Sequence, residues 1–426
     1  MFWRIEAENA VGAFRVIVVM RLDGSIDAHV LTLALARLQA RHPKLRAIII
    51  RRNDGRHQYQ FDRAAPAIPL DVVDYDDGNS PWREEARRLV QIRFPAEGPF
   101  AAVAVLRRQH RPYSEVILVA HHAIADGQSG IILMHDLLTE YASLEADRGA
   151  PPRPQLRPVS ARRATPAGWS KRAWLIRRFL RINREERRQR QPSLPEAENV
   201  MPQSQWVHWV FAPYETRALV RRSREERTSL GGALVAAVCS SVMDSLSLSD
   251  AVFKYQFPFD VRSALEFSNG RVTSEDVGSF ASIMNAFLEV PRPATFWDLA
   301  RRAHDQIQTF ADHAGPTFYY NLARAAEHPL LARAVTRLPS VRNARVTLYA
   351  TNYGIANLAK AYGKLTPRGC TVMFPNDIFG ASLVIVTLVV GAELNVGFAA
   401  SRLEPVFWER LQVAVQRRLE AAALTE

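Results

Sequence analysis

Apolar and polar positions along this chain follow two periods, and the switching between them lays out its elements. Arg15 to Leu22 and Ala101 to Leu106 read as strands, and within Glu115 to Ala120 the mostly aliphatic, β-branched-rich run Val116 to Ala120 reads as a strand buried on both faces. After Gly127 the apolar residues Ile131, Ile132, Met134, Leu137, Leu138 and Tyr141 keep the spacing of one helical face. His121 to Gln128 is then the loop between a buried strand and a helix, a place where a rigid scaffold presents reactive side chains.

The rest of the first half fits around that unit. Asp23-Gly24 turns the chain, Ser25 or Asp27 caps a helix with Val30, Leu31, Leu35 and Leu38 on its apolar face, and His42-Pro43 ends it. Ala47 to Arg51 reads as a strand entering a hairpin through Asn53-Asp54-Gly55, Pro81 to Arg93 as a surface helix, and Ala101 to Leu106 as the partner of Glu115 to Ala120. Pro151, Pro152, Pro154 and Pro158 mark a linker.

The second half repeats the alternation. Strands are expected at Trp206 to Phe211, Phe253 to Phe257, Ala344 to Ala350, the pair Thr371 to Phe374 and Leu383 to Val390, and Gly397 to Ser401. Helices are expected after Ala212-Pro213, at Thr228 to Leu246, at Thr295 to Asp312 and at Pro405 to Leu424. The alternation points to two similar α/β lobes, although no sequence repeat marks a duplication. The expected division is a first lobe at 1–150, a Pro/Arg-rich linker at 151–200, and a second lobe at 201–426.

Charge changes this picture in one place. The formal charge is +12. Ala161 to Arg190 alone holds eleven basic residues against two Glu, so the body of the protein is nearly neutral. This run reads either as a solvated linker, the favoured reading, or as a basic amphipathic helix suited to a membrane surface or an acidic partner. No nucleic-acid partner is expected. Cys239 and Cys370 sit in or beside apolar segments and read as buried thiols of a reducing compartment. With no signal peptide in M-F-W-R-I-E-A-E and no apolar run long enough to span a bilayer, a cytoplasmic protein is expected.

His121, His122, Asp126 and Gly127 form H-H-x-x-x-D-G. A neutral imidazole near pH 7 is well suited to general-base catalysis. Adjacent residues at a strand end point in opposite directions, so one histidine of the two faces a given cleft. Gly127 would let the chain turn tightly, and Asp126 would hold the loop by pairing with an arginine. A metal site built on His121 or His122 with Asp126 and His135 lacks a completing Cys or Glu cluster. Gln128-Ser129-Gly130 is no nucleophile elbow, and no phosphate-binding glycine loop is present, so nucleotide cofactors are not implied.

H-H-A-I-A-D-G resembles the signature of the superfamily of nonribosomal-peptide condensation domains, chloramphenicol acetyltransferase-like enzymes, wax ester synthases and polyketide-associated acyltransferases. Arg21 to Leu45 is similar to the family's opening strand and helix, Thr228 to Val238 to its second-lobe helix, and Lys254 to Arg262 (K-Y-Q-F-P-F-D-V-R) to its Pro-x-Asp-x-Arg strand end. Size and linker look most like the stand-alone phthiocerol dimycocerosyl transferase type. Asn376 to Gly380 (N-D-I-F-G) is only loosely similar to the D-F-G-W-G of plant relatives.

The resemblance implies two chloramphenicol acetyltransferase-like lobes, mixed sheets flanked by helices, in a V, with a tunnel along their junction, His122 at its midpoint and a crossover segment around 351–382 in the second lobe. It implies an acyltransferase without a tightly bound cofactor. The acyl donor would be a thioester on phosphopantetheine, carried by an acyl or peptidyl carrier protein or by coenzyme A. The acceptor would be a small alcohol or amine, and the product an ester or amide of natural-product or lipid biosynthesis. His122 would be the base, His121 and Gly127 its support, Asp126 the partner of Arg262, and Asn352, in Thr351-Asn352-Tyr353-Gly354, a stabiliser of the intermediate; a turn-forming role for Asn352 is the alternative. A monomer is expected. A non-catalytic docking module for a carrier protein is the rival class.

Overall fold

The computed structural model describes residues 14–424, apart from 52, 54–56, 62–64, 77–79, 159–162, 165–167, 189–190, 198–203, 268–269, 326–345 and 375–380. In the first half the described elements are β1 (Arg15–Asp23), α1 (Ala28–Arg41), β2 (Ile48–Arg51), β3 (His57–Gln60), β4 (Leu70–Tyr75), α2 (Trp82–Val90), β5 (Ala101–Arg108), β6 (Tyr113–His121) and α3 (Gly127–Ala146). β7 (Arg163–Ala164) and α4 (Trp169–Arg188) lead into β8 (Ser204–Phe211), α5 (Pro213–Glu225), α6 (Leu230–Ser245), β9 (Asp250–Asp260), β10 (Leu265–Phe267), β11 (Gly270–Arg271) and β12 (Ala281–Pro291). α7 (Phe296–Asp312), α8 (Gly315–Ala325), β13 (Val346–Ile355), β14 (Thr366–Met373), β15 (Ala381–Val390), β16 (Glu393–Ser401) and α9 (Pro405–Leu424) complete the chain.

Two large mixed sheets flanked by helices result. The first has the order β14-β1-β6-β5-β4, the second β12-β9-β13-β15-β16-β8. The pairing of β5 with β6 is antiparallel, with Val103 opposite Leu118. Asp27 rather than Ser25 caps α1: its Oδ1 accepts from the backbone N of His29 at 2.8 Å and of Val30 at 3.2 Å. That cap holds the first-turn N–H groups which a helix start leaves without intrahelical partners.

β14 departs from simple two-lobe division. The chain leaves β13 in the second sheet, pairs β14 antiparallel with β1 in the first, placing Met373 opposite Ile17, and returns at β15. The segments expected as a pair, Thr371 to Phe374 and Leu383 to Val390, thus lie in different sheets. The first core accordingly runs from Ile17, Leu118 and Leu137 onto the near face of the second sheet at Tyr349, Val384 and Val386. A separate core under α6, α7 and α9 holds the other face, with Leu348, Ala350, Leu383 and Ile385.

The expected linker at 151–200 is corrected in its second part. α4 is a 20-residue helix whose Leu175 is fully buried in the second core, and Ile182 is buried beside it. On its inner side Glu186 meets Lys254 of β9 at 2.7 Å, both buried. The local charge density masked this seat, because only a few positions of α4 are apolar and inward. The hydrophobic pattern does not mark the strands β4 and β12 either. β4 is half-buried, and β12 alternates buried and partly exposed positions, so neither makes a long apolar run.

Cys239 and Cys370 are buried free thiols. Burial pushes the Cys370 thiol up to about 12 and Cys239 further, so neither is poised to react.

Candidate active site at the lobe junction

β6 ends at His121, paired with Arg15 across the ladder, and its last peptides are pinned: His121 N donates to Phe100 O at 2.8 Å and His122 N to Phe14 O at 2.8 Å. The chain then folds back, with Ile124 N donating to His121 O at 2.9 Å. The two imidazoles take opposite sides, as strand alternation requires. His121 points into the first lobe, edge-on to Phe94 and Phe100, and its Nδ1 accepts from Ala123 N at 2.9 Å. That bond leaves the ring proton of a neutral imidazole to Nε2. Tyr59 of β3 braces the loop from outside, donating to Ala123 O at 2.5 Å.

His122 faces the junction. Its ring stacks on Phe374, with centroids 6.1 Å apart, and Phe374 in turn meets Tyr349 of the second sheet. Phe374 arrives there because β14 belongs to the first sheet. Burial lowers the His122 pKa below the ordinary 6.5; the Asp126 carboxylate opposes that shift and does not overcome it. The imidazole is therefore neutral at pH 7 and able to accept a proton.

Asp126 and Arg262 meet across the lobes. Asp126 is the N-cap of α3: Oδ1 accepts from Ser129 N at 2.8 Å and from Arg262 NH2 at 2.8 Å, and Oδ2 accepts from Phe280 N at 2.8 Å. Burial pushes this carboxyl up, but the Arg262 guanidinium and the backbone donors outweigh it and hold the pKa below 3.8. Arg262, also 3.1 Å from Asp260, is raised in the complementary sense, its burial outweighed by the two carboxylates. Sequence reasoning missed Ser129, whose hydroxyl completes the latch. It donates to Gly278 O at 2.8 Å and accepts from Gly278 N at 3.0 Å and Arg262 NH2 at 2.6 Å, using the one donor and two acceptor positions of a hydroxyl.

Gly127 is corrected in its reason. It is the first residue of α3 and is not among the positive-φ glycines, so the turn does not require it. A Cβ there would lie 1.7 Å from the Tyr353 hydroxyl, so it is the approach of β13 that demands glycine.

Asn352 is corrected in its place. On β13, Tyr349 belongs to the core facing the first lobe and Leu348 and Ala350 to the opposite core; period-two alternation puts Tyr353 with the former and Asn352 with the latter. Its Oδ1 accepts from Gly354 N at 2.9 Å and Thr387 Oγ1 at 3.2 Å, which is the turn-forming role. The side chains of β13 directed at the junction are Tyr349 and Tyr353, and that alternation was the available signal.

His135 bonds Tyr362 at 2.8 Å, and among the described residues no group of three or more His, Cys, Asp or Glu could hold a metal ion. A small pocket lies on the junction at Lys44, Phe61, Leu156, Arg157 and Val277; His122, 5 % exposed, does not line it. The N-D-I-F-G segment at 376–380 falls outside the described residues.

A condensation-domain family model matches residues 6–332. Among solved structures, the first condensation domain of the calcium-dependent antibiotic synthetase, in complex with a substrate analogue, superposes with a TM-score of 0.70 at 15 % identity, covering 99 % of this chain and 94 % of that one. Polyketide synthase associated protein 5 from Mycobacterium tuberculosis superposes with a TM-score of 0.64 at 17 % identity, covering 96 % and 94 %. A probable non-canonical nonribosomal peptide synthetase, CymA, of Salinispora arenicola is 30 % identical over 143 residues, 33 % of this chain and 2 % of that protein. The chain thus spans only a small fraction of such curated relatives. The fold is that of two chloramphenicol acetyltransferase-like lobes, and the chain belongs to the condensation-domain family.

Proposed function

We propose that this chain is an acyltransferase that moves an acyl group from a thioester to a hydroxyl or amine acceptor, forming an ester or amide in natural-product or lipid biosynthesis. The observation carrying this reading is the buried, neutral His122 imidazole at a latched strand-loop-helix corner between the lobes. His122 takes the proton from the acceptor O–H or N–H as that atom attacks the thioester carbonyl carbon. The tetrahedral adduct then collapses, the C–S bond breaks, and the leaving thiolate recovers the proton from the imidazolium. No acyl-enzyme is required. Asp126, Arg262, Ser129 and His121 act by positioning the loop.

The donor thioester is borne on phosphopantetheine, of a carrier protein or of coenzyme A, and no resident cofactor enters the scheme. Family membership favours the carrier protein as partner. A monomer in the cytoplasm fits this role; among the described residues no single helix is long and apolar enough to cross a membrane.

The test is turnover of matched acyl carrier-protein and acyl-coenzyme A thioesters with a panel of alcohols and amines, followed by mass spectrometry. His122→Ala is expected to lower turnover at least about 100-fold with the fold intact. Unchanged turnover would remove His122 as the base. The small exposure of His122 also favours a second reading, a non-catalytic docking module. Carrier-protein binding without turnover by the wild-type chain on the whole panel would establish it.

A further inference from the structure

Three of the exposed large apolar side chains among the described residues stand on the outer face of α4. Trp169 is 84 % exposed, Ile176 51 % and Leu180 62 %. With Ala173, also exposed, they follow one another at four-, three- and four-residue steps. At 100° per residue these positions fall within an arc of about 60°, a single apolar ridge along the helix. Basic residues border it on both sides: Arg172 on one flank, its guanidinium 5.3 Å from the Trp169 ring, and Arg177 and Arg184 on the other.

The acidic residues of α4 are held elsewhere. Glu185 pairs with Arg181 at 2.7 Å, and Glu186 turns inward to Lys254. Leu175 and Ile182 bind the opposite side of the helix to the protein, and Trp174 stacks on His313 at 4.1 Å. The ridge is therefore presented by a seated helix rather than a loose one.

We propose that this face of α4 docks the protein on an anionic lipid surface. An apolar ridge flanked by guanidinium groups matches the order of a bilayer interface, with side chains entering the acyl boundary while the flanking cations meet lipid phosphates. Trp169 is the residue type that favours this depth. The same charges would attract an acidic protein, but a projecting ridge with its apolar side chains standing clear of their neighbours supplies no pocket for a partner's anchor residues, which tight protein interfaces rely on. Lipid requires no such shape match. Docking is separate from the transfer reaction, because α4 carries none of the latch or His122 contacts.

The test uses the full chain with vesicles of phosphatidylcholine alone and of phosphatidylcholine containing about 30 % phosphatidylglycerol, in a co-sedimentation assay. Binding to the anionic vesicles only is expected, weakening at least about tenfold between roughly 0.1 and 0.5 M salt. Trp169→Ser/Ile176→Ser/Leu180→Ser should lower that binding at least about tenfold with turnover unchanged. Arg177→Gln/Arg184→Gln should lower it about fivefold per residue, and it serves as the independent check should the triple variant fail to fold. The proposal is overturned if the wild-type chain ignores anionic vesicles, if a folded variant of either kind binds as well as wild type, or if these substitutions abolish carrier-protein binding by a chain that binds no vesicles.

Discussion

The hydroxyl of Tyr353 occupies the space beside Gly127 that any Cβ would need. A residue of the second sheet thereby sets the identity of a residue in the H-H-x-x-x-D-G loop. The glycine keeps the loop close to β13 and so keeps the neighbouring Asp126 within reach of Arg262.

Gly127→Ala should force Tyr353 or the start of α3 aside, with a cost of about 1–3 kcal/mol and a lowered melting temperature. Tyr353→Ala removes the obstacle, so the double variant should be no less stable than Tyr353→Ala alone. Thermal melts of the three variants check this, and strict additivity would show that the two groups do not collide.

The Asp126–Arg262 ion pair is buried on both sides. Asp126→Ala takes from the buried Arg262 guanidinium its carboxylate across the lobes, and from the Ser129 and Phe280 backbone N–H groups their acceptor, and should cost about 3–5 kcal/mol as well as activity. The combined Asp126→Ala/Arg262→Ala variant should lose less than the sum of the singles. Denaturant unfolding measures both terms. An unchanged melt with abolished turnover would instead make Asp126 a chemical participant.

The depressed pKa of His122 has consequences for activity and stability. The acid limb of kcat/KM should fall below the ordinary histidine value of 6.5, since protonation removes the base only at lower pH. For stability, the unfolded chain takes up a proton near pH 6.5 that the folded imidazole resists, so stability is retained above that pH and lost as pH falls below it. His208, pushed down to about 3 chiefly by burial, adds in the same direction. His122→Gln should flatten part of this slope in melts taken across pH 4–7.

A second buried cluster joins the lobes at Asp136. Its carboxylate accepts from Arg41 Nε at 3.0 Å, His42 Nε2 at 2.8 Å and Arg153 NH1 at 2.5 Å, while Arg41 NH2 reaches Glu275 at 3.0 Å. Asp136→Asn should lower stability by about 3–5 kcal/mol without altering the pH profile of turnover, because none of these groups touches His122. A displaced acid limb would instead tie this cluster to the site. In the sequence His42 was legible only as the residue that ends a helix before Pro43.

Local pattern was enough for most elements because period and capping are properties of neighbouring residues. The run before His121, the Asp27 cap and the long buried helix α6 are all legible in that way. Where side chains inside and outside differ little in polarity, as in β12, or where charge hides a narrow inward stripe, as in α4, local pattern carried too little contrast.

The sequence by itself determined the mixed α/β alternation, the two-lobed fold expected from its resemblance, and the strand-loop-helix setting of His121 to Gly127. Tertiary structure decided what those residues meet. Strand alternation turned Asn352 away and Tyr353 inward, the crossing of β14 delivered Phe374 to the His122 ring, and Ser129 gained its bonds from residues more than a hundred positions away. Such pairings depend on how two sheets are threaded by one chain, which no window of neighbouring residues encodes.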